Sequence, residues 1–446
     1  MATTFERQIS RRTVLKGLAG GAAALATGEL LAACGPGLKG AGGSSNTKDI
    51  TIGYVSPQTG DLAGFAVPDD YVLKQINATS SFSKGLTKGG KTYHFKIIEV
   101  DSQSDPTRAS QVAKNLILQN QVDMIVTSSA PETVNPVAAV CESEGVPCVS
   151  TVCPWESWYY AGLGATPPGT TQAYKYNTLF FFGVPEFGKC FIPMWNRIQE
   201  KYDTDKVIAC MWPNDADGNA FRMGWPPIIE AAGYSYIDGG AYPDGQADYT
   251  TMISLFKNGN ADFYLNGPLP PDFNTMWKQA SEQDFKPKLA TVAKVLLFPA
   301  DTVALGALVN NIATDAWWTP YSPYHSSLTG ESAKALAEGY QTSTGDQWTQ
   351  SIGSTYSLFE VAYRAFANAS DPHDKNEVAA QLQSLNMQSI CGPLDFTDGP
   401  APGVAIIEPV GVQWKKGTHY PFSMYVVDNS ANKSVPINGT LEPTNP

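Results

Sequence analysis

The chain has 446 residues, 30 of them basic and 42 acidic, for a formal net charge of −12. Hydrophobic residues make up 43% and charged residues only 16%, which excludes an intrinsically disordered chain, and the acidic balance excludes the basic footprint of a nucleic-acid binder. At about 150 residues per domain the length admits two or three domains. His94, His325, His373 and His419 are scattered along the chain, so no histidine metal cluster is predicted and no cofactor is expected. No run of 18 apolar residues follows residue 33, so no transmembrane helix is expected in the body of the chain.

The N-terminus reads as an address. Ser10-Arg11-Arg12-Thr13-Val14-Leu15-Lys16 resembles a twin-arginine export signal, with Val14 where such signals usually carry Phe. A Gly/Ala-rich apolar stretch follows and ends in Leu31-Ala32-Ala33-Cys34, which resembles a bacterial lipobox whose cysteine is lipidated. Residues 1–33 are therefore expected to be a signal peptide with Arg11 and Arg12 as its export determinants. Cys34 is then the lipid-bearing residue, and residues 34–48 form a flexible tether. Membrane contact is expected through that lipid alone, on the extracytoplasmic face. Gly35-Pro36-Gly37-Leu38-Lys39-Gly40 fits the G-x-G-x-x-G pattern, but no strand precedes it, so it is read as tether rather than dinucleotide loop. The remaining cysteines, Cys141, Cys148, Cys153, Cys190, Cys210 and Cys391, allow 15 pairings that sequence cannot choose among. A local bridge among the first three and buried free thiols are both open.

Strands are expected at residues 49–55, 94–100, 122–126 and 146–152, with helices at about 62–77, 106–120 and 134–145 between them. The series restarts with strands at 206–212, 235–238, 262–265 and 289–292 and helices at 220–233, 249–258 and 273–284. Helices return at 331–345, 355–368 and 374–385, and 409–427 reads as strands and turns. Two successive βα series predict an α/β protein of two doubly wound, parallel-sheet lobes covered by helices on both faces.

Several segments then stand in a recognisable order: Ile52-Gly53-Tyr54-Val55-Ser56-Pro57-Gln58-Thr59-Gly60, Asp101-Ser102-Gln103-Ser104-Asp105-Pro106, Asp123-Met124-Ile125-Val126-Thr127-Ser128-Ser129, Gly145-Val146-Pro147, Asn214-Asp215-Ala216-Asp217-Gly218 and Cys391-Gly392-Pro393-Leu394-Asp395-Phe396. With them the chain, over about residues 48–415, resembles the leucine/isoleucine/valine- and amide-type solute-binding proteins of ATP-driven importers, which have the type I periplasmic-binding fold. The resemblance implies a hinge of three crossovers. It places one lobe at 49–178 plus 316–398 and the other at 179–315 plus 399–446. It also implies a small-molecule ligand in the inter-lobe cleft and permease subunits as partners.

Ligands of such lobes sit beyond the carboxyl ends of the strands. The candidate ligand residues are therefore Thr59, Phe65, Ser128, Ser129, Thr151 and Trp155 in the first lobe and Asp217, Asn266 and Lys294 in the second. For each of them ordinary strand-end turn chemistry is the alternative. Trp155-Glu156-Ser157-Trp158-Tyr159-Tyr160 is either a stacking wall for a ligand or a cap on the core. Trp317-Trp318 is read as hinge packing. Two departures argue against a simple α-amino acid. Pro131 and Pro154 lack an N–H, and Lys294 stands where amino-acid receptors of this kind place an acid. Lys294 as a point donor suits an anionic or neutral polar group, so a carboxylate- or amide-bearing solute, aromatic ones included, is expected. A sensor of the same fold and a branched-chain amino acid receptor are the alternatives. No G-x-S-x-G or H-E-x-x-H motif supports an enzyme.

Overall fold

The computed structural model describes residues 49–165 and 172–444. Residues 1–48, which carry Arg11, Arg12 and Cys34, lie outside them. Two large sheets organise the described chain. In the first, strands run in the order Val404–Ala405, Asn177–Phe180, Cys148–Thr151, Met124–Ser128, Ile50–Ser56 and Phe95–Asp101, and every neighbouring pair is parallel. In the second the order is Phe422–Asp428, Val410–Lys416, Ala313–Ala316, Leu289–Val292, Phe263–Asn266, Val207–Met211 and Ser235–Asp238. Its last five strands are parallel, while Val410–Lys416 pairs antiparallel with both of its neighbours. The expected wholly parallel sheets thus acquire an antiparallel ribbon at one edge of the second.

Central strands such as Ile50–Ser56 and Phe263–Asn266 are buried along their whole length, the condition of a parallel sheet with helices on both faces. The helices follow local rules. Pro106–Leu118 starts where the Asp105 carboxylate accepts the Arg108 N–H at 2.6 Å, with Pro106 in its first turn, and buries Ala109, Val112, Ala113, Leu116 and Ile117. Those spacings form one stripe of a 3.6-residue period. Pro131–Glu144 also begins on a proline and stops at Gly145, whose φ of 68° is cheap for glycine. Ala216–Ala231 is capped by Asp215, which accepts the Gly218 N–H at 2.6 Å.

Sheet membership puts the connections between lobes after Phe180, after Ala316 and between Ala405 and Val410. The expected division differs at three points. Residues 179–180 and 404–405 belong to the first sheet, not the second, and Ala316 to the second, not the first. Val404–Ala405 is only two residues long, too short to carry a readable alternation, and it is defined solely by pairing with Leu179 and Phe180. All six described cysteines are buried free thiols, so of the two open readings the described residues show free thiols and no local bridge.

Candidate functional site

The carboxyl ends of the two sheets face each other, and two helices close over the gap. Pro131–Glu144 of the first lobe and Ala216–Ala231 of the second both carry acids in the first turn, Glu132 and Asp217, with Asp215 as the cap of the latter. Carboxylates gather at helix N-termini because the unpaired N–H groups there carry partial positive charge. Lys294 follows the strand Leu289–Val292 with φ 66° and lies among them. Its ammonium stands 2.8 Å from Glu132, 2.9 Å from Asp217 and 3.5 Å from Asp215, and its side chain is 6% exposed. The Lys294–Glu132 pair joins the lobes. So does the Ser157 hydroxyl, which donates to Asp217 at 2.8 Å, and so does the edge-to-face pair Phe65–Phe298 at 4.7 Å.

Beneath this cluster lies a cavity of about 30 Å³ lined by Phe65, Ala130, Val152, Pro154, Phe181, Phe187, Asp217, Phe221, Lys294, Leu297, Asp315 and Trp317. That is room for about two water molecules at most, so a larger solute enters only when the lobes part. Its walls are mainly aromatic and aliphatic, with three ionisable groups.

Those three have distinct environments. Burial raises the Asp217 carboxyl to about 6, Lys294 opposes that rise, and Glu132 and Asp215 add to it. Burial pulls Lys294 toward neutrality, but Asp217, Glu132 and Asp215 outweigh it and hold the ammonium well above its ordinary range. Asp315 is 2% exposed, and burial lifts its carboxyl to about 7, against the lowering effect of hydrogen bonds from its own backbone N–H and from Thr314. Its Oδ1 accepts no hydrogen bond among the described residues.

Of the nine expected ligand residues, Phe65, Asp217 and Lys294 meet at this cavity. The other six do not line it. Thr59 is exposed and bonds Asp101 through both its N–H and its hydroxyl. The Thr151 hydroxyl donates to the Phe180 carbonyl at 2.8 Å. Asn266 accepts the Ala293 N–H at 2.9 Å. Ser128 and Ser129 are buried at the end of their strand. Trp155 packs at tilted angles in a ring cluster with Tyr159 and Tyr160, while Trp158 and Tyr159 meet Tyr174. The aromatic stretch therefore packs largely on itself.

Lys294 was expected as a point donor for an anionic or neutral polar group; in this closed arrangement three carboxylates lie within 3.5 Å of its ammonium. Trp317 also differs from its expected role. It packs on Phe181 at 5.4 Å and donates to Ser354 at 3.2 Å, as a hinge residue would, but it also lines the cavity. Asp315, Phe187 and Phe221 were missed. For Asp315 the available signal was a lone acid inside the otherwise apolar or hydroxyl-bearing strand Ala313–Ala316, where an ion is costly unless it has work to do.

Two α/β lobes joined by three connections, with a closed aromatic cleft between their strand ends, define a hinged solute-binding receptor. The sequence profile of the periplasmic binding protein family matches residues 49–415, and the chain belongs to that family, the type I binding proteins of ABC importers. Its relatives include the Leu/Ile/Val-binding protein of Citrobacter freundii, 20% identical over 357 residues, 78% of this chain and 87% of that one. The fold is shared with the leucine binding protein LivK of Thermotoga maritima at 16% identity and TM-score 0.69, covering 85% of this chain and 98% of that one. It is shared too with a Rhodopseudomonas palustris BisB5 solute binding protein in complex with 3,4-dihydroxybenzoic acid, at 14% identity and TM-score 0.62, covering 86% and 99%. The relatives are solute-binding proteins rather than enzymes, and the family implies an extracytoplasmic location. Among the described residues no helix is long and apolar enough to cross a membrane.

Proposed function

We propose that the protein captures a small solute with an apolar or aromatic body in the inter-lobe cleft and delivers it to the permease of an ABC transporter, while tethered to the membrane by lipid on Cys34. The observation that carries this reading is the aromatic cavity at the strand ends, closed by contacts that cross between the lobes. The polar end of the solute is an amide or another hydrogen-bond donor rather than a carboxylate, because Lys294 has no free N–H to meet an anion.

A thermal-shift screen of small metabolites tests the reading, since a ligand at a hundred times its Kd stabilises by about 2.7 kcal/mol. Leu297→Trp, which fills the cavity, is the control. Hits that stabilise the wild type and not this variant support capture in the cleft. Hits that act equally on both put the ligand elsewhere and refute it. Labelling with a fatty-acid analogue should mark the wild type and not Cys34→Ser; equal labelling rejects the anchor.

A further inference from the structure

Asp315 lies in the strand Ala313–Ala316, where it pairs with Gly411 across the antiparallel edge. Its own carbonyl accepts from Gln350 Nε2 at 3.2 Å, and the Gln350 Oε1 takes the Trp317 N–H at 3.0 Å. One buried glutamine thus fixes the backbone on both sides of Ala316, and the Asp315 side chain is held against the cavity it lines. Its Oδ1 is buried and accepts no hydrogen bond among the described residues. Leaving a buried acceptor unmade costs about 1–3 kcal/mol, more for a charged one. Among the described residues Lys294 is the one cation on the cavity wall, and it is held by Glu132, Asp217 and Asp215 rather than by Asp315. That group of four sums to −2 when ionised, and Asp315 adds a further negative charge to the same cleft once it too is ionised, above about pH 7 or when a cation pairs with it. Lys294 shares that wall, so the cleft is of mixed sign with a net negative charge, and a net negative field between low-dielectric rings favours ligands of the opposite sign.

We infer that Asp315 is the polar anchor of the ligand, accepting a hydrogen bond from a cationic amine head while the ligand body lies against Phe65, Phe187, Phe221 and Trp317. This rests on the cleft being the capture site. It goes further by naming the head group, the residue that selects it, and the exclusion of acids at that end.

Two head-matched series test it: propylamine, propionamide and propionate, and benzylamine, benzamide and benzoate. Each is titrated calorimetrically against the wild type, Asp315→Asn and Leu297→Trp. In the wild type the amines should bind more tightly than the acids by roughly tenfold or more, the worth of a charge-assisted hydrogen bond. Asp315→Asn, of the same shape, should unfold no earlier than the wild type and should lose that preference. Acids binding best in the wild type, an amine preference that survives Asp315→Asn, or no heat from either amine at millimolar concentration would each overturn the assignment. The two levels separate through Leu297→Trp. Amine binding that persists there removes the solute from the cleft and takes the proposed function with it. Binding lost there, with head preference unchanged in Asp315→Asn, removes Asp315 alone.

Discussion

Replacing Lys294 by methionine deletes the one cation that three carboxylates share. Lys294→Met keeps the length and apolar stem of the side chain but leaves Glu132, Asp215 and Asp217 facing each other where the lobes meet. Breaking a buried ion pair from one side costs about 3–5 kcal/mol, because the remaining charge keeps its desolvation without its partner. Protonation limits the damage. Asp217 already titrates at about 6 beside Lys294, so holding it neutral at pH 7.5 costs at most about 2 kcal/mol, at about 1.4 kcal/mol per pH unit. The variant should therefore be destabilised by about 3–5 kcal/mol at pH 7.5, and the deficit should shrink by up to about 2 kcal/mol at pH 5.5 as that part disappears. Glu132 belongs to the opposite lobe, so the radius of gyration should also rise. Urea unfolding at the two pH values, with small-angle scattering, measures both effects. A variant as stable as the wild type at pH 7.5, or one whose deficit grows on acidification, would refute the reasoning.

Stability should fall as pH rises from about 5 to 8. Burial holds the carboxyls of Asp69 and Glu156 at about 8 and those of Glu360 and Asp315 at about 7, against roughly 4 in the unfolded chain. The native state then retains protons the unfolded state has lost. Their contribution is complete below about pH 4 and disappears as pH passes 7 to 8, at about 1.4 kcal/mol per pH unit for each retained proton; urea midpoints that rise across this range would contradict it. Gly183→Ala should destabilise the first connection between lobes by about 1–3 kcal/mol. A Cβ there would lie 2.1 Å from Glu156 Oε2 and 2.4 Å from the Trp155 ring, and an unchanged melting temperature would show that both side chains yield freely. Trp155→Ala should cost about 3–5 kcal/mol of stability while leaving ligand affinity of the refolded protein within a few-fold, since Trp155 packs in a ring cluster outside the cavity lining. A large loss of affinity at normal stability would restore it to the binding wall.

The sequence by itself determined the class of fold. Alternating runs such as Ile50–Ser56 and Pro106–Leu118 carry their own period, caps and breakers, and these are local properties that survive without knowledge of partners. It also located the strand ends and so drew Phe65, Asp217 and Lys294 to one place before any contact was known. What the tertiary structure decided is who meets whom. Lys294 and Glu132 are 162 residues apart, and only the closure of one lobe on the other turns the lysine from an open donor into the centre of an ion cluster. Thr151 and Asn266 sit at strand ends as expected, but neighbouring backbone groups take the Thr151 hydroxyl and the Asn266 Oδ1. Val404–Ala405 acquires its lobe only by pairing with a strand more than two hundred residues earlier. Asp315 looks like one acid among 42 in the sequence; its meaning comes from a buried oxygen without a partner, and burial is a property of the whole packed chain rather than of the strand that carries it.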